Sequence, residues 1–216
     1  GVAADLAEFG RFSEKNIRVI HNPVFDTDVE TRARAPLTHP WFERKGPPIV
    51  LAAGRLHRQK GFDILLDAFA VARAEVDCRL VILGEGSERA ALLAAAERLG
   101  LAYDIDMPGF SDNPFPLMRH AGAFVLSSRW EGFPNALVEA MACGAPVIAT
   151  DCPSGPREIL GGGRYGMLVP PENPQALGQA LIAALRARPD TRISETRAQS
   201  FSVAAAAAQY LDVLEG

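Results

Sequence analysis

Two carboxylates eight positions apart bracket the segment Glu131-Gly132-Phe133-Pro134-Asn135-Ala136-Leu137-Val138-Glu139. Pro134 suits the first turn of a helix, where its missing N–H costs nothing. The free N–H groups of that turn, with Gly132 just before them, would face outward as an anion site. Glu131 would then stand at the mouth of this site. Glu139 would lie roughly 7 Å deeper along the helix, at about 1.5 Å per residue. This layout suits a ligand with a central diphosphate and hydroxyl-rich groups at both ends, which is the shape of a nucleotide sugar. Plain compensation of the helix dipole would also explain Glu near a helix start, so other segments must carry the reading further.

Three do. Gly54-Arg55-Leu56-His57-Arg58-Gln59-Lys60-Gly61 follows an apolar run and opens a helical stretch. Gly54 permits a tight turn, and Arg55 and Lys60 put two cations near a helix start, where phosphate is already favoured. The segment is not a P-loop, because it has no Gly-Lys-Ser/Thr; a solvated basic loop is the alternative. In Leu83-Gly84-Glu85-Gly86-Ser87 two glycines allow close backbone approach to a ligand, or serve only as a connector. Pro108-Gly109-Phe110-Ser111-Asp112 could offer backbone groups and an apolar surface to a nucleobase, or be a plain turn.

The elements that must position these loops follow from pattern. Apolar, β-branched runs at 17–20, 49–53, 79–83, 104–107, 123–126, 147–150 and 167–169 read as strands. Between them, the spacing predicts helices from about Gly61 to Ala74, from a Ser87 cap to Gly100, over 114–120, and from the Glu-bracketed loop to Gly144. Residues 26–47 read as a long loop with a turn of helix. Two helices close the chain: one with a stripe of Ala176, Leu177, Ala180, Leu181, Ala184 and Leu185, and an Ala-rich one capped by Ser202. Strands alternating with helices imply right-handed crossovers and a doubly wound α/β domain with a mainly parallel sheet. Ligands of such sheets bind beyond the carboxyl ends of the strands, and every loop singled out above falls there.

Composition narrows the class. The 216 residues are 48% hydrophobic and 22% charged, ordinary for a globular domain, and only 7% aromatic. A net charge of −4 argues against a general nucleic-acid binder. No apolar run approaches the roughly 20 residues that span a bilayer, and no secretory signal is seen. The chain opens on Gly1 rather than Met, which suggests a fragment. Cys78, Cys143 and Cys152 are odd in number and widely spaced, and they form no CxxC; they read as small buried residues of a protein in a reducing cytoplasm. The four His show no ligand spacing. Asp104-Ile105-Asp106 has the letters of a metal motif but reads as strand.

In order, Asn22-Pro23, Gly54-Arg55-Leu56 with Lys60-Gly61, Leu83-Gly84-Glu85-Gly86, Gly109-Phe110, Ser127-Ser128-Arg129-Trp130-Glu131-Gly132-Phe133-Pro134 and Glu139 to Thr150 resemble the C-terminal half of the group 1 retaining glycosyltransferases of GT-B fold. Pro153-Ser154-Gly155-Pro156-Arg157-Glu158 resembles a bacterial branch that builds surface glycans. The resemblance covers nearly the whole chain. It implies that Arg55 and Lys60 bind the donor diphosphate and steady the leaving nucleotide, and that Glu139 accepts from the ribose hydroxyls. It places Glu131 at the donor sugar, near the reacting centre, as the catalytic carboxylate. The backbone N–H groups of Gly132, Phe133 and Asn135 would hold the sugar and phosphate, with Pro134 part of the same donor-binding segment. Gly54, Gly84, Gly86, Gly109 and Phe110 would complete the donor site.

The expectation is therefore a Rossmann-like nucleotide-sugar domain over 23–200. A lead-in at 1–22 would be a remnant of the interdomain region. A helix over 201–216 would pack toward an N-terminal domain that the chain lacks. The partners implied are a UDP-sugar and a glycan or lipid-linked acceptor, with no cofactor, no metal and no nucleic acid. A cytoplasmic protein, peripheral at the inner membrane face, is expected. Family members often have Pro where Ser127 stands. A nucleotide-sugar epimerase and a non-catalytic nucleotide-binding module are the competing readings.

Overall fold

The computed structural model describes residues 17–215 apart from 38, 44 and 188. Six parallel strands form its centre: β1 (Ile49–Ala53), β2 (Arg79–Leu83), β3 (Ile105–Gly109), β4 (Ala123–Leu126), β5 (Val147–Thr150) and β6 (Met167–Val169). Their order is β3-β2-β1-β4-β5-β6. The order reverses between β1 and β4, which pair through Val50↔Ala123 and Leu51↔Phe124. A crevice at such a reversal is where open α/β sheets take ligands.

Apolar residues run continuously along the strands because both faces are covered. In β1, Val50 and Ala52 enter one core with α3 (Phe62–Arg73), α4 (Arg89–Arg98) and α8 (Pro174–Ala187). Ile49 and Leu51 enter the other, with α1 (Val29–Ala33), α5 (Phe115–His120) and α6 (Asn135–Ala142). The remaining helices are α2 (Pro40–Glu43), α7 (Pro156–Ile159), α9 (Arg192–Ala198) and α10 (Val203–Glu215). All three cysteines are free and buried. Burial pushes the Cys78 thiol up to about 11, and that of Cys143 up to about 12 with help from Glu139.

Several local expectations need correction. Residues 17–20 form no strand, because none of the described strands pairs with them; among the described residues the pairing nearest in sequence is the isolated bridge Phe25↔Ser202. Residues 26–47 hold two helical turns, α1 and α2. Ser87 does not cap α4: the N-cap is Glu88, without a side-chain bond. The chain ends in three helices rather than two, α9 intervening. Ser202 does cap α10, its Oγ accepting from Ala205 N–H at 3.2 Å. Gly144 closes α6 in the left-handed region at φ 78. Most of the expected lead-in, residues 1–16, lies outside the described residues. No described helix is long and apolar enough to cross a membrane.

Candidate functional site

The loops after β1 and β4 meet at the reversal and clasp each other through main-chain contacts. Arg129 N–H donates to Gln59 O at 2.8 Å, and Gln59 Nε2 donates to Trp130 O at 3.0 Å. Arg129 sends its guanidinium to Arg58 O at 2.9 Å, to both oxygens of Asp63 at 2.8 and 2.7 Å, and to Glu172 at 2.8 Å. Its hydrogen bonds hold the Asp63 carboxyl below the ordinary carboxylate range. Gly61 turns the chain at φ 61, where a Cβ would lie 2.3 Å from Ser127 O. That turn sets Lys60 against the β4 loop.

Lys60 Nζ then donates to Glu131 Oε1 at 2.6 Å, across 71 positions of sequence. Ser128 Oγ donates to the same oxygen at 2.5 Å. The Glu131 side chain is only 5% exposed and that of Lys60 21%. Glu131 is thus not an open carboxylate at the mouth of the site, as its place in the sequence suggests. It is a buried, paired one. Arg55 differs: it is exposed, and among the described residues its guanidinium has no hydrogen-bonded or ion-paired partner, only its carbonyl accepting from His57 N–H at 2.8 Å.

The helix that follows begins one residue later than expected, with Pro134 as N-cap at φ −80, ψ 87 and no side-chain cap. A Pro at this place offers no oxygen to the first turn, so that turn stays open. Among the described residues the N–H groups of Gly132, Phe133, Asn135 and Ala136 find no partner, and a Cβ on Gly132 would meet open space. The Phe133 ring packs away from this opening, with centroids 5.6 Å from both His21 and Phe201.

Glu139, one turn into α6, lines a cleft of about 480 Å³ with Phe110, Arg32, Asp112 and Phe115. No described side chain hydrogen-bonds its carboxylate. Burial raises its pKa, with Arg32 opposing. Phe110 is 76% exposed at the rim. Gly84 and Gly86 serve packing: a Cβ would lie 1.9 Å from Gly54 O and 2.2 Å from Leu56 O respectively. Their close approach is to the Arg55 loop, not to open space. Gly54 lies over the Lys60 stem, with a Cβ contact of 3.2 Å, and Gly109 under Glu85, with one of 2.9 Å. Asp104 and Asp106 are engaged by Arg73 at 3.2 Å and His39 at 3.0 Å. Among the described residues no three His, Cys, Asp or Glu converge as metal ligands.

The structure brings Lys60 and Glu131 together just before the open start of α6, with Arg55 exposed on the same loop as Lys60, while Glu139 and Phe110 line a cleft of their own. Sequence reasoning missed two contributors. Ser128 lay inside a quoted motif without a role, and Arg32 lay in a stretch read as loop. A hydroxyl at a strand's end was the only signal for Ser128; nothing signalled Arg32.

The strand order and the match to a solved glycosyltransferase define the Rossmann-like half of a GT-B architecture. The chain belongs to the group 1 glycosyl transferases, whose family model matches residues 47–187. It is 32% identical, over 223 aligned positions, to the N-acetylgalactosamine-N,N'-diacetylbacillosaminyl-diphospho-undecaprenol 4-alpha-N-acetylgalactosaminyltransferase of Campylobacter jejuni, covering 100% of this chain and 58% of that protein. It is also 32% identical to the lipopolysaccharide core biosynthesis glycosyltransferase LpsE of Rhizobium meliloti, covering 99% of this chain and 62% of that one. Among solved structures it superposes on the apo form of the lipopolysaccharide outer core galactosyltransferase WaaB with a TM-score of 0.82 at 27% identity, over 99% of this chain and 59% of that one. Anabaena Alr3699/HepE in complex with UDP gives 0.81 at 25% identity, over 99% and 61%. The chain therefore spans about three fifths of the length of these proteins.

Proposed function

We propose that this chain is the donor-binding half of a retaining glycosyltransferase that moves a sugar from a UDP-sugar to a glycan or lipid-linked acceptor. The carrying observation is the meeting, at the reversal of strand order, of the Lys60–Glu131 pair and an uncapped helix start, with Arg55 exposed on the same loop as Lys60. Arg55, Lys60 and the N–H groups of Gly132, Phe133, Asn135 and Ala136 supply fixed positive charge where charge grows on the departing diphosphate. Such preorganised groups need no reorganisation during reaction and no metal. The cleft beside them would take the nucleoside, with Glu139 accepting from the ribose hydroxyls and Phe110 covering the base. Glu131, one oxygen tied down, would turn the other to the sugar.

Support for UDP comes from the Alr3699/HepE complex, and for a lipid-linked acceptor from the name of the Campylobacter relative. A lipid-linked acceptor would place the protein at the cytoplasmic face of the inner membrane. The lengths of the relatives support a further domain that binds the acceptor. α10 would pack toward it, since Tyr210, Leu211 and Leu214 are exposed on this helix and only Ala206 is buried.

Calorimetry with UDP, GDP and ADP, each with and without EDTA, tests the reading. UDP should bind tightest, EDTA should change nothing, and the 216-residue chain should transfer sugar to no acceptor by itself. Failure to bind any nucleoside diphosphate, or binding that only magnesium restores, would refute it.

A further inference from the structure

We infer that Ser128 is a positioning residue that fixes the Glu131 carboxylate for the sugar of the donor, an inference that rests on the donor-site reading above. Ser128 is buried at the carboxyl end of β4. Its Oγ donates to Glu131 Oε1 at 2.5 Å, and Lys60 Nζ donates to the same oxygen at 2.6 Å. No described donor reaches Oε2. One oxygen is thus saturated from below and the other is left for a ligand, which sets the rotation of the carboxylate as well as its place. The anchor is itself anchored. Thr150 at the end of β5 donates its Oγ1 to Ser128 O at 2.5 Å. Ser127 donates its Oγ to Lys60 O at 2.8 Å and thereby ties the β1 loop to the same strand end. Proline in place of Ser127 could not make that bond.

The hydroxyls of three residues on adjacent strands thus hold both members of the ion pair. Geometry of this kind is what lets a fixed group favour a transition state, because a carboxylate free to rotate must be ordered during each reaction. Ser128 touches no substrate in this scheme. It acts through Glu131.

Calorimetry with this chain separates that role from packing. The probes are UDP and three UDP-sugars (UDP-glucose, UDP-galactose and UDP-N-acetylgalactosamine), taking the sugar that wild type binds best. Ser128→Ala should weaken that UDP-sugar about tenfold, the scale of one charge-assisted hydrogen bond. Its affinity for UDP should change less than about twofold, its melting temperature serving as the control for folding. Ser128→Thr, which keeps the hydroxyl, should recover most of the loss, and Ser128→Cys, a poor donor of similar size, should not. Adding Ser128→Ala to Glu131→Gln should cost nothing further for the UDP-sugar. Equal losses for UDP and UDP-sugar, or additive losses in the double variant, would assign Ser128 to packing and overturn the inference while leaving the donor site intact. A wild type that binds every UDP-sugar no better than UDP would overturn Glu131's assignment and this inference with it. A wild type that binds none of them would overturn the donor site itself.

Discussion

The two carboxylates that bracket the β4–α6 segment live in opposite circumstances. Glu131 is buried and already holds a cation and a hydroxyl on one oxygen. Glu139 is partly buried in an open cleft, has no hydrogen-bonding side chain on it, and has its pKa raised by that burial. One end of the site is satisfied before any ligand arrives, and the other waits for donors from outside. A buried charge left without partners is costly, so the binding role proposed for Glu139 would come at a cost in stability that the paired Glu131 does not carry. Arg55 and Lys60 repeat the contrast: among the described residues the Arg55 guanidinium has no partner, whereas Lys60 is committed to Glu131.

Breaking the satisfied end should have the largest effect. Lys60→Ala strands the Glu131 carboxylate and should lower unfolding stability in urea by roughly 2 kcal/mol, less than a fully buried pair would lose because Lys60 keeps some contact with water. Adding Glu131→Gln should restore much of it. A Lys60→Ala protein as stable as wild type would show that the pair is no part of the scaffold.

Arg55→Ala should do the reverse, leaving the urea midpoint unchanged while weakening UDP by about 2 kcal/mol, the scale of a charged hydrogen bond. Uridine should be indifferent to it. Equal losses for uridine and UDP would place the damage in the fold.

At the waiting end, Glu139→Gln should weaken UDP by about 1 kcal/mol more than it weakens 2′,3′-dideoxy-UDP, because a carboxylate can accept from both ribose hydroxyls. Glu131→Gln should spare UDP. The opposite pattern in calorimetry would reverse the orientation of the donor.

The smallest effect is also the sharpest on the comparison. Because burial lifts the Glu139 carboxyl above its ordinary value of 4.5, folding favours its protonated form. The charged form therefore costs stability at neutral pH, a cost relieved as pH falls through the raised pKa. Without nucleotide, Glu139→Gln should raise the melting temperature at pH 7 by roughly 1–2 °C, and the gain should vanish below the ordinary carboxylate value. UDP should bind less well as pH falls through the same window. A lowered melting temperature at pH 7 would mean that the folded protein satisfies Glu139 after all.

Much of this was legible beforehand. The runs 49–53, 79–83, 123–126, 147–150 and 167–169 stand as strands β1, β2, β4, β5 and β6, because a parallel strand covered on both faces must be continuously apolar. Ile17–Ile20 shows the limit of that signal: an apolar β-branched run is a strand only if a neighbour offers a ladder. At Ser87 a residue suited to capping was passed over for a start one position later. The spacing of Glu131 and Glu139 pointed to a site, yet it put Glu131 open at the mouth when its side chain is only 5% exposed and already paired with Lys60.

The sequence by itself determined the alternation of strands and helices, the loops that end the strands, and hence a doubly wound sheet with polar and glycine-rich segments along one edge. These depend on period, turn chemistry and burial, all properties of neighbouring residues. Only the tertiary structure decided which loops meet. Strand order brought Lys60 to Glu131 across 71 positions, put Ser128 beneath that pair, spent Gly84 and Gly86 on the loop beside them, and left Glu139 with no donor. Such partners are chosen by the packing of whole strands against one another, and no local pattern of residues records that choice.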